Sequence, residues 1–576
     1  MNGRKSRNLT GEEDRVFLSV RALLVIGLAS LAGAVPAFAQ PPDIVLVNGR
    51  IVTLDDRSTV AEALAVSGDM IAAVGAGADI SHLARSGTKI VDLGGRTVIP
   101  GLIDSHIHAI RAGLRFGTEV SWIGSPTIGD AMRRIRDGAN AAAPGAWIVV
   151  AGGWTPIQFA ERRRPTQSEL AAAAPDNPVY VQLFYGAALM TPKGLAALGI
   201  STDVDLPEGG KMARGKDGAP TGWIEGRFPA ITALYARLPG PTLAQGMDGT
   251  RRFLSELNRF GLTGVIDPGG YNLAPGEYEA LFRLWRRQEL TVRVVYSICA
   301  PTPGTEIEDL RTLTRFLPMG TGDDWLRFNG IGERVTWGMN NNSNPTQAQK
   351  DAYYRIGLWA AKRGMTLTMH WNEDRSVHHL LEVFERIDRE VPLRPLRWSI
   401  AHLFDASDAS LQRMKAMGVG WLMQNRTYFA NARYLLERRG KLGRIPPIGA
   451  ALRMGLPIGG GTDAHRVMDY NPFVALRWML DGLTVERVET RDARERPTRE
   501  QALRIYTRGS AWFAHDEGRR GALTPGRLAD LAVLSADYMS VPVADIGAIR
   551  SLLTMVGGRI VHADGPFLGL EEGAKR

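Results

Sequence analysis

Two histidines separated by a single residue stand at the end of an apolar segment. The segment reads Val98-Ile-Pro-Gly-Leu-Ile-Asp-Ser-His106-Ile-His108, and its apolar start predicts a buried strand. Because side chains alternate between the two faces of a strand, both imidazoles point to the same side. Two imidazoles on one face can bind one metal ion, so the sequence predicts that His106 and His108 are metal ligands.

Three further residues of ligand type follow predicted strands in the same way. His370 follows a strand at 365–369, His402 follows one at 398–401, and Asp463 ends the glycine-rich segment 456–462. Imidazole and carboxylate together suit zinc, with iron or manganese as alternatives. The only cysteine is Cys299, which excludes a cysteine-based zinc site and an intrachain disulfide. Taken singly, each residue could instead be a satisfied core histidine or a helix-capping aspartate.

The elements that carry these residues alternate between strand and helix. About eight such units predict an α/β fold, a (β/α)8 TIM barrel over residues 99–514, whose active site would lie at the carboxyl ends of its strands. Residues 110–250 break the alternation and are predicted to form an inserted subdomain after the first barrel strand. Short β-rich segments at 40–98 and 515–576 are predicted to pair into one composite β-sandwich domain.

The N-terminus has the features of a targeting segment. Arg15 and Arg21 precede an apolar run at 22–35, and Ala37-Phe-Ala39 offers a small-x-small cleavage site. This pattern predicts a signal peptide over residues 1–39 and an exported protein, periplasmic or secreted, without stable membrane insertion after cleavage. The alternative is an anchor that is not cleaved.

The charge of the chain is basic but scattered. Net charge is +9 from 69 basic and 60 acidic residues, and no basic stripe with interleaved aromatic residues is present in the sequence. We therefore expect no nucleic-acid partner, a small-molecule substrate, and a surface on which homo-oligomerisation is possible.

The motifs resemble those of the amidohydrolase superfamily, in the broad branch that includes formamide deformylases. The matching segments are 100–108, 261–267, 370–374, 401–402, 461–463 and 521–533. The resemblance implies a barrel hydrolase with one or two divalent metals that cleaves C–N bonds of amides, formamides, ureas or lactams. His106, His108 and Asp463 would bind one metal, and His370 with His402 the second or the same one. A metal-bound hydroxide would attack the substrate, with Asp463 as general base and then general acid.

One departure from the family pattern concerns the bridge between metals. Two-metal members of this branch carry a carbamylated lysine on the fourth strand, whereas the matching segment 328–337 contains no lysine. Some superfamily members bridge with glutamate, which makes Glu333 the candidate bridging ligand. In the alternative, Glu333 pairs with a neighbouring arginine and the site holds a single metal.

A second departure concerns the substrate side of the site. The family's substrate-side histidine is absent around residues 183–188, which leaves Tyr185 as a possible replacement. His465 lies two residues beyond Asp463 and could contact substrate, although a surface loop histidine is the favoured interpretation.

Two other functions remain open. His370-Trp-Asn-Glu373 also fits the His-x-x-Glu motif of mononuclear deaminases in the same superfamily, in which the glutamate protonates a ring nitrogen. An envelope protein that binds metal but has lost catalysis is the alternative from another class. The complete set of four histidines and an aspartate argues against that alternative.

Overall fold

The computed structural model describes residues 41–571, except 271–272, 342, 430–434 and 436–441. The signal peptide predicted for residues 1–39 lies outside the described residues. Within the described range the fold is α/β, and no helix there combines the length and apolar character needed to cross a membrane.

Strands from the two ends of the chain share one sheet. A six-stranded sheet has the order β23-β22-β21-β7-β2-β3, and a four-stranded sheet has the order β5-β4-β1-β6. Side chains of both sheets meet in one apolar cluster that includes Leu46, Val98, Leu531 and Ile560. The strands are β1 Ile44–Val47, β2 Arg50–Val52, β3 Val60–Ala61, β4 Ala63–Ser67, β5 Met70–Gly75, β6 Lys89–Asp92, β7 Thr97–Pro100, β21 Leu531–Leu534, β22 Ser551–Val556 and β23 Arg559–Ala563.

Eight further strands form two four-stranded parallel sheets, ordered β16-β15-β14-β8 and β17-β18-β19-β20. The sheets meet at both ends. Ile331 bridges Leu367 in parallel fashion, and the amide of Ser105 donates to the carbonyl of Gly460 at 2.9 Å. The strands are β8 Leu102–Asp104, β14 Leu262–Asp267, β15 Arg293–Ile298, β16 Leu326–Ile331, β17 Thr368–Trp371, β18 Ser399–His402, β19 Gly420–Gln424 and β20 Ile458–Gly461.

The helices that separate these strands bury an apolar face, and those that follow Thr242, Thr346 and Ser407 begin with a side-chain cap. The helix Leu243–Arg259 begins at Thr242, whose side chain accepts from the amide of Gln245, and it buries Phe253, Leu254 and Leu257 on one face. Apolar residues at spacings of three and four produce such a buried face. The helices from 243 onward are α7 Leu243–Arg259, α8 Glu279–Arg286, α9 Glu306–Leu313, α10 Gln347–Lys362, α11 Asp374–Asp388, α12 Asp408–Met417, α13 Ile448–Met454, α14 Pro472–Asp481, α15 Arg499–Arg504 and α16 Ser510–Phe513.

A separate five-stranded sheet lies within the span predicted as the insertion. Its order is β12-β13-β11-β10-β9, and it packs its own apolar clusters around Trp122, Trp154 and Tyr180. Its strands are β9 Ile148–Val150, β10 Val179–Leu183, β11 Ala187–Met190, β12 Lys211–Arg214 and β13 Pro220–Glu225; the helices before 243 are α1 Gly77–Ser81, α2 Ala109–Arg115, α3 Ile128–Ala141, α4 Gln167–Ala173, α5 Pro192–Ala197 and α6 Phe228–Tyr235.

Candidate metal centre

Six side chains of ligand type come together where the parallel strands end. They are supplied by the segments after β8, β16 and β20 and by the last residues of β17 and β18. All are buried except His370, which is half-buried. We name this group the candidate metal centre; its members are His106, His108, Glu333, His370, His402 and Asp463.

Glu333 occupies the middle of the candidate metal centre. Its Oε1 lies 3.5 Å from His108 Nε2, and its Oε2 lies 3.4 Å from His106 Nε2. The same Oε2 lies 3.2 Å from His370 Nδ1 and 3.7 Å from His402 Nε2. One carboxylate therefore faces four imidazoles, and its two oxygens face different members of the set.

Asp463 is the second carboxylate that lies close to His106 and His108. Its Oδ1 lies 3.2 Å from His108 Nε2 and 3.8 Å from His106 Nε2. The backbone of Asp463 has a φ of 58°, and that of His402 a φ of 74°. Non-glycine residues rarely occupy this left-handed region, so the surrounding structure must hold both residues in place.

The distances between carboxylate oxygens and imidazole nitrogens, 3.2–3.8 Å, are close to the spacing of ligand atoms around one metal ion. Zinc holds nitrogen and oxygen ligands at about 2.0–2.1 Å, which places tetrahedral ligand atoms about 3.3 Å apart. Two groups of three have ligand atoms within 4.8 Å of one another, His106, His108 and Glu333, and Glu333, His370 and His402. Both ring nitrogens of His106 are buried without a hydrogen-bond partner, and Nε2, which faces Glu333 and Asp463, is the nitrogen placed to ligate a metal.

One pair is closer than ligation allows. His402 Nε2 and His370 Nδ1 are 2.7 Å apart, which is a hydrogen bond between the two rings. Ligation of one ion by both rings requires this pair to open by about 0.6 Å, to the spacing of zinc ligands. His370 is the more exposed of the two, with 17% of its side chain accessible, so it is the ring with room to move.

The electrostatics of the candidate metal centre keep both of its carboxyl groups ionised. Burial opposes protonation of His106, but Glu333 and Asp463 outweigh burial and raise the pKa of its ring. Burial opposes ionisation of Glu333, but the surrounding imidazoles outweigh burial and hold the pKa of its carboxyl well below the ordinary value. The pKa of Asp463 is lowered to about 2, because His108, His402 and His106 outweigh its burial. Burial and the charge of His370 lower the pKa of His402 to about 4. Two carboxylates and a neutral imidazole at neutral pH are the forms that ligate metals.

A buried aspartate that we did not predict holds two of the ligand segments together. Asp104 accepts from the amide of His106 at 3.0 Å and from the hydroxyl of Thr462 at 2.7 Å. It thereby joins His106 to Thr462, the residue before Asp463. The signal in the sequence is a carboxylate at the end of an otherwise apolar strand, because burial of such a group requires hydrogen bonds.

A second set of contacts orients His108. Its Nδ1 lies 2.8 Å from the carbonyl of Gly269, which leaves Nε2 to face Glu333 and Asp463. Asp267, at the end of β14, accepts from the amides of Gly269 and Ile110 at 2.8 Å each. Partners of this kind fix the orientation and tautomer of ligating histidines.

The structure places the remaining predicted site residues outside the candidate metal centre. Glu373 accepts a hydrogen bond from Arg375 Nε at 2.5 Å and stands at the start of α11. Tyr185 packs its ring 4.9 Å from that of Phe228, against the apolar cluster formed by residues 429, 467 and 468.

The favoured interpretation of His465 as a surface loop histidine is wrong. Only 14% of its side chain is exposed, and its Nε2 lies 3.2 Å from Glu119 Oε2. The exposure of a residue after a strand depends on what packs over it, and here the segment of Glu119 covers His465.

The family resemblance is confirmed by comparison with known proteins. Residues 89–562 match the family described as "Amidohydrolase family". The chain therefore belongs to the amidohydrolase family and is a metal-dependent hydrolase that acts on C–N bonds other than peptide bonds.

Individual relatives are distant but cover nearly the whole chain. The chain is 24% identical to "Protein LONG AFTER FAR-RED 3" of Arabidopsis thaliana, over 95% of this chain and 98% of that protein. It is 22% identical to "N-substituted formamide deformylase" of Arthrobacter pascens, over 90% of this chain and 98% of that enzyme. A metal-dependent hydrolase of uncharacterized function from Pyrococcus horikoshii has a similar fold, with a TM-score of 0.63, 21% identity, and coverage of 87% and 99%.

Proposed function

We propose that the chain hydrolyses a C–N bond of the amide, formamide, urea or lactam type at a centre of two divalent ions bridged by Glu333. The observation that carries the proposal is that Glu333 belongs to two groups of ligand atoms that lie within 4.8 Å of one another, one with His106 and His108 and the other with His370 and His402. A single glutamate shared by two groups of histidines would supply the bridge that the missing lysine provides in two-metal members of the family.

The proposed fold is a (β/α)8 barrel with its active site at the carboxyl ends of the strands. Support comes from the contacts between the two parallel sheets at both ends. Side chains of both sheets also meet in one interior cluster, which includes Ile266, Val295, Ala401 and Leu422. We further propose that the two sheets formed by 40–98 and 515–576 pack as a sandwich, with 110–250 as an insertion into a barrel of residues 99–514.

The residues divide into two ion sites. His106, His108, Asp463 and Glu333 would hold one ion, and His370, His402 and Glu333 the other. The ligand set favours zinc, with iron or manganese as alternatives. When bound, such ions lower the pKa of water and polarise the bond to be cleaved.

Asp463 is the group proposed to move the proton. It is the more accessible of the two central carboxylates, with 11% of its side chain exposed against 4% for Glu333. Its carboxyl group is ionised at neutral pH, and the ionised form is the one that can accept a proton from the attacking water. The protonated form can then deliver that proton to the leaving nitrogen as general acid.

The substrate proposed first is a small N-substituted formamide or related amide. The relative from Arthrobacter pascens supports this class, since its alignment extends over nearly all of both chains. Tyr185 is proposed as a substrate contact, because the insertion carries it to the apolar cluster beside the segment that follows Asp463. That surface suits an apolar substituent on the nitrogen.

Deamination ranks below amide hydrolysis. A deaminase of the His-x-x-Glu kind needs Glu373 to deliver a proton to a substrate ring, whereas the carboxylate of Glu373 is paired with the guanidinium of Arg375. An arginine partner stabilises the ionised carboxylate and disfavours its use as an acid.

A metal analysis combined with a substrate panel tests the proposal. We expect the purified protein to hold two zinc ions per chain and to release formate from N-substituted formamides. Removal of the metal with a chelator should abolish turnover, and zinc should restore it. Zinc without turnover on amides, ureas or lactams would instead indicate a metal-binding protein, and ammonia release from amino-substituted rings would indicate a deaminase.

Export is proposed from the first 39 residues alone. We expect the protein isolated from its native host to begin at residue 40 and to fractionate outside the cytoplasm. Mass spectrometry of the intact protein measures this directly. Recovery of residues 1–39 on cytoplasmic protein would contradict the proposal, and their recovery on membrane-bound protein would favour the uncleaved anchor.

A further inference from the structure

We propose that Glu119 and His465 form a positioning pair that holds Asp463 in place, so that the insertion controls the geometry of the candidate metal centre. The inference rests on the proposed function in that it takes Asp463 as ligand and proton acceptor. Glu119 follows α2, whereas His465 lies two residues beyond Asp463, and 346 positions separate the pair in sequence.

The pair lies in a buried polar cluster. His465 Nε2 is 3.2 Å from one oxygen of Glu119, and the other oxygen accepts from the hydroxyl of Tyr235 at 2.6 Å. The side chains of His465 and Glu119 are only 14% and 8% exposed. The guanidinium of Arg466, which is buried, lies 4.0 Å from the ring centre of Tyr235. Two side chains of the insertion, Glu119 and Tyr235, thus contact residues 465–466.

The backbone of the same segment is also held by the insertion. The amide of Gly153 donates to the carbonyl of Arg466 at 2.8 Å. Gly152 has a φ of 138°, and a Cβ on it would lie 2.1 Å from that carbonyl oxygen. Because glycine alone tolerates this approach, Gly152 and Gly153 allow the insertion to contact residues 465–466 directly.

Residues 463–464, at the other end of the segment, are attached to the residues that follow β8. The amide of Asp463 donates to the carbonyl of His106 at 2.8 Å, and the amide of His108 donates to the carbonyl of Ala464 at 3.1 Å. Asp463 therefore lies between a barrel-side attachment and an insertion-side attachment. Its left-handed backbone, with a φ of 58°, is a conformation that depends on such attachments.

In this arrangement Glu119 and His465 position Asp463 but do not themselves ligate a metal. Neither Glu119 nor His465 belongs to the two groups of ligand atoms found among the described residues around Glu333. Loss of the pair should leave the ligands in the chain but release the segment that sets where the Asp463 carboxylate lies. A carboxylate that serves as proton acceptor is sensitive to such a displacement, because a shift of about 1 Å can cost roughly 100-fold in rate.

The experiment uses the full-length protein with Glu119→Ala, His465→Ala, the double variant and Glu119→Gln. Glu225→Gln is the matched control, since Glu225 is also a glutamate of the insertion but pairs with Arg164 and is more than half exposed. Two readouts are collected for each: kcat and KM on the panel substrate, and the visible absorption spectrum of protein loaded with cobalt(II). The spectrum reports ligand geometry without any substrate.

We expect each alanine variant to lower kcat by about 10-fold to 100-fold with little change in KM, and to shift the cobalt spectrum. The double variant should be no worse than either single one, because both remove the same link. Glu119→Gln should retain most of the activity and the spectrum, since its amide can still hydrogen-bond to both partners. The control should match wild type.

Three results would overturn the inference. An unshifted cobalt spectrum in both alanine variants with a lower unfolding temperature would make the pair purely structural. A raised KM in His465→Ala alone would make His465 a substrate contact. Additive losses in the double variant would show that the residues act separately. Absence of turnover in the wild type would refute the proposed function but leave the spectral test in force.

Discussion

Asp463→Asn is expected to lower kcat by about 10²–10⁴-fold while the protein keeps most of its metal. The asparagine can still offer an oxygen as a ligand, and Glu333 with the histidines remains in place to hold the ions. The asparagine side chain cannot accept a proton, because an amide is not a base at neutral pH. The measurement is metal content per chain together with kcat on the panel substrate, both at the same pH.

Two controls make the Asp463→Asn result specific. Asp324→Asn removes a carboxylate that pairs with Arg519 at the surface, and it should leave both metal and turnover unchanged. His106→Ala removes a ligand whose ring is wholly buried, and it should lose metal and activity together. A metal-replete Asp463→Asn protein with near-wild-type turnover would assign the proton transfer to another group, with Glu373 the first to test.

Glu333→Gln is expected to lower the metal content from two ions to one or fewer and to abolish most of the activity. The carboxylate contacts both groups of histidines, so in the proposed two-ion centre its neutral replacement would remove the anionic bridge between the two cations. Loss of an outer partner of a metal ligand already costs about 10–100-fold in affinity or activity, and loss of a shared ligand should exceed that range. Metal titration by calorimetry and turnover measure the two effects.

Glu385→Gln is the matched control for the bridging glutamate. Glu385 lies on α11, pairs with Arg413 and is about one-third exposed, so its substitution should change neither metal stoichiometry nor turnover. If Glu333→Gln binds two zinc ions as tightly as wild type, then Glu333 is not a bridge. A single-ion mechanism would then follow, and the deaminase alternative would gain support.

Local sequence patterns were sufficient to predict most of the residues of the candidate metal centre. The prediction of His106 and His108 rested on strand alternation, but β8 ends at Asp104 and both residues lie after it. His370, His402 and Asp463 follow from polar residues at the ends of apolar strands. Glu333 required the family pattern, because only the missing lysine in segment 328–337 drew attention to it. The α/β class followed in the same way, from alternation of apolar strands with amphipathic helices.

Contacts between distant segments could not be read from the sequence. Thr462 bonds to Asp104 across 358 positions, and no periodicity relates them. The favoured interpretation of His465 was wrong for the same reason, because its exposure is decided by Glu119 in a segment that covers it. Strand pairing also joins distant segments, since β7 pairs with β2 near the start of the described chain and with β21 near its end.

The pairing of β7 with β21 has a consequence for the order in which the chain can fold. The paired residues Pro100 and Leu531 are about 430 positions apart, and contacts of such long range form late. Until β21 has been synthesised, β7 presents an open edge that invites pairing with other chains. Because β7 leads through Gly101 into β8 and on to His106, C-terminal shortening of the protein should promote aggregation and loss of metal together.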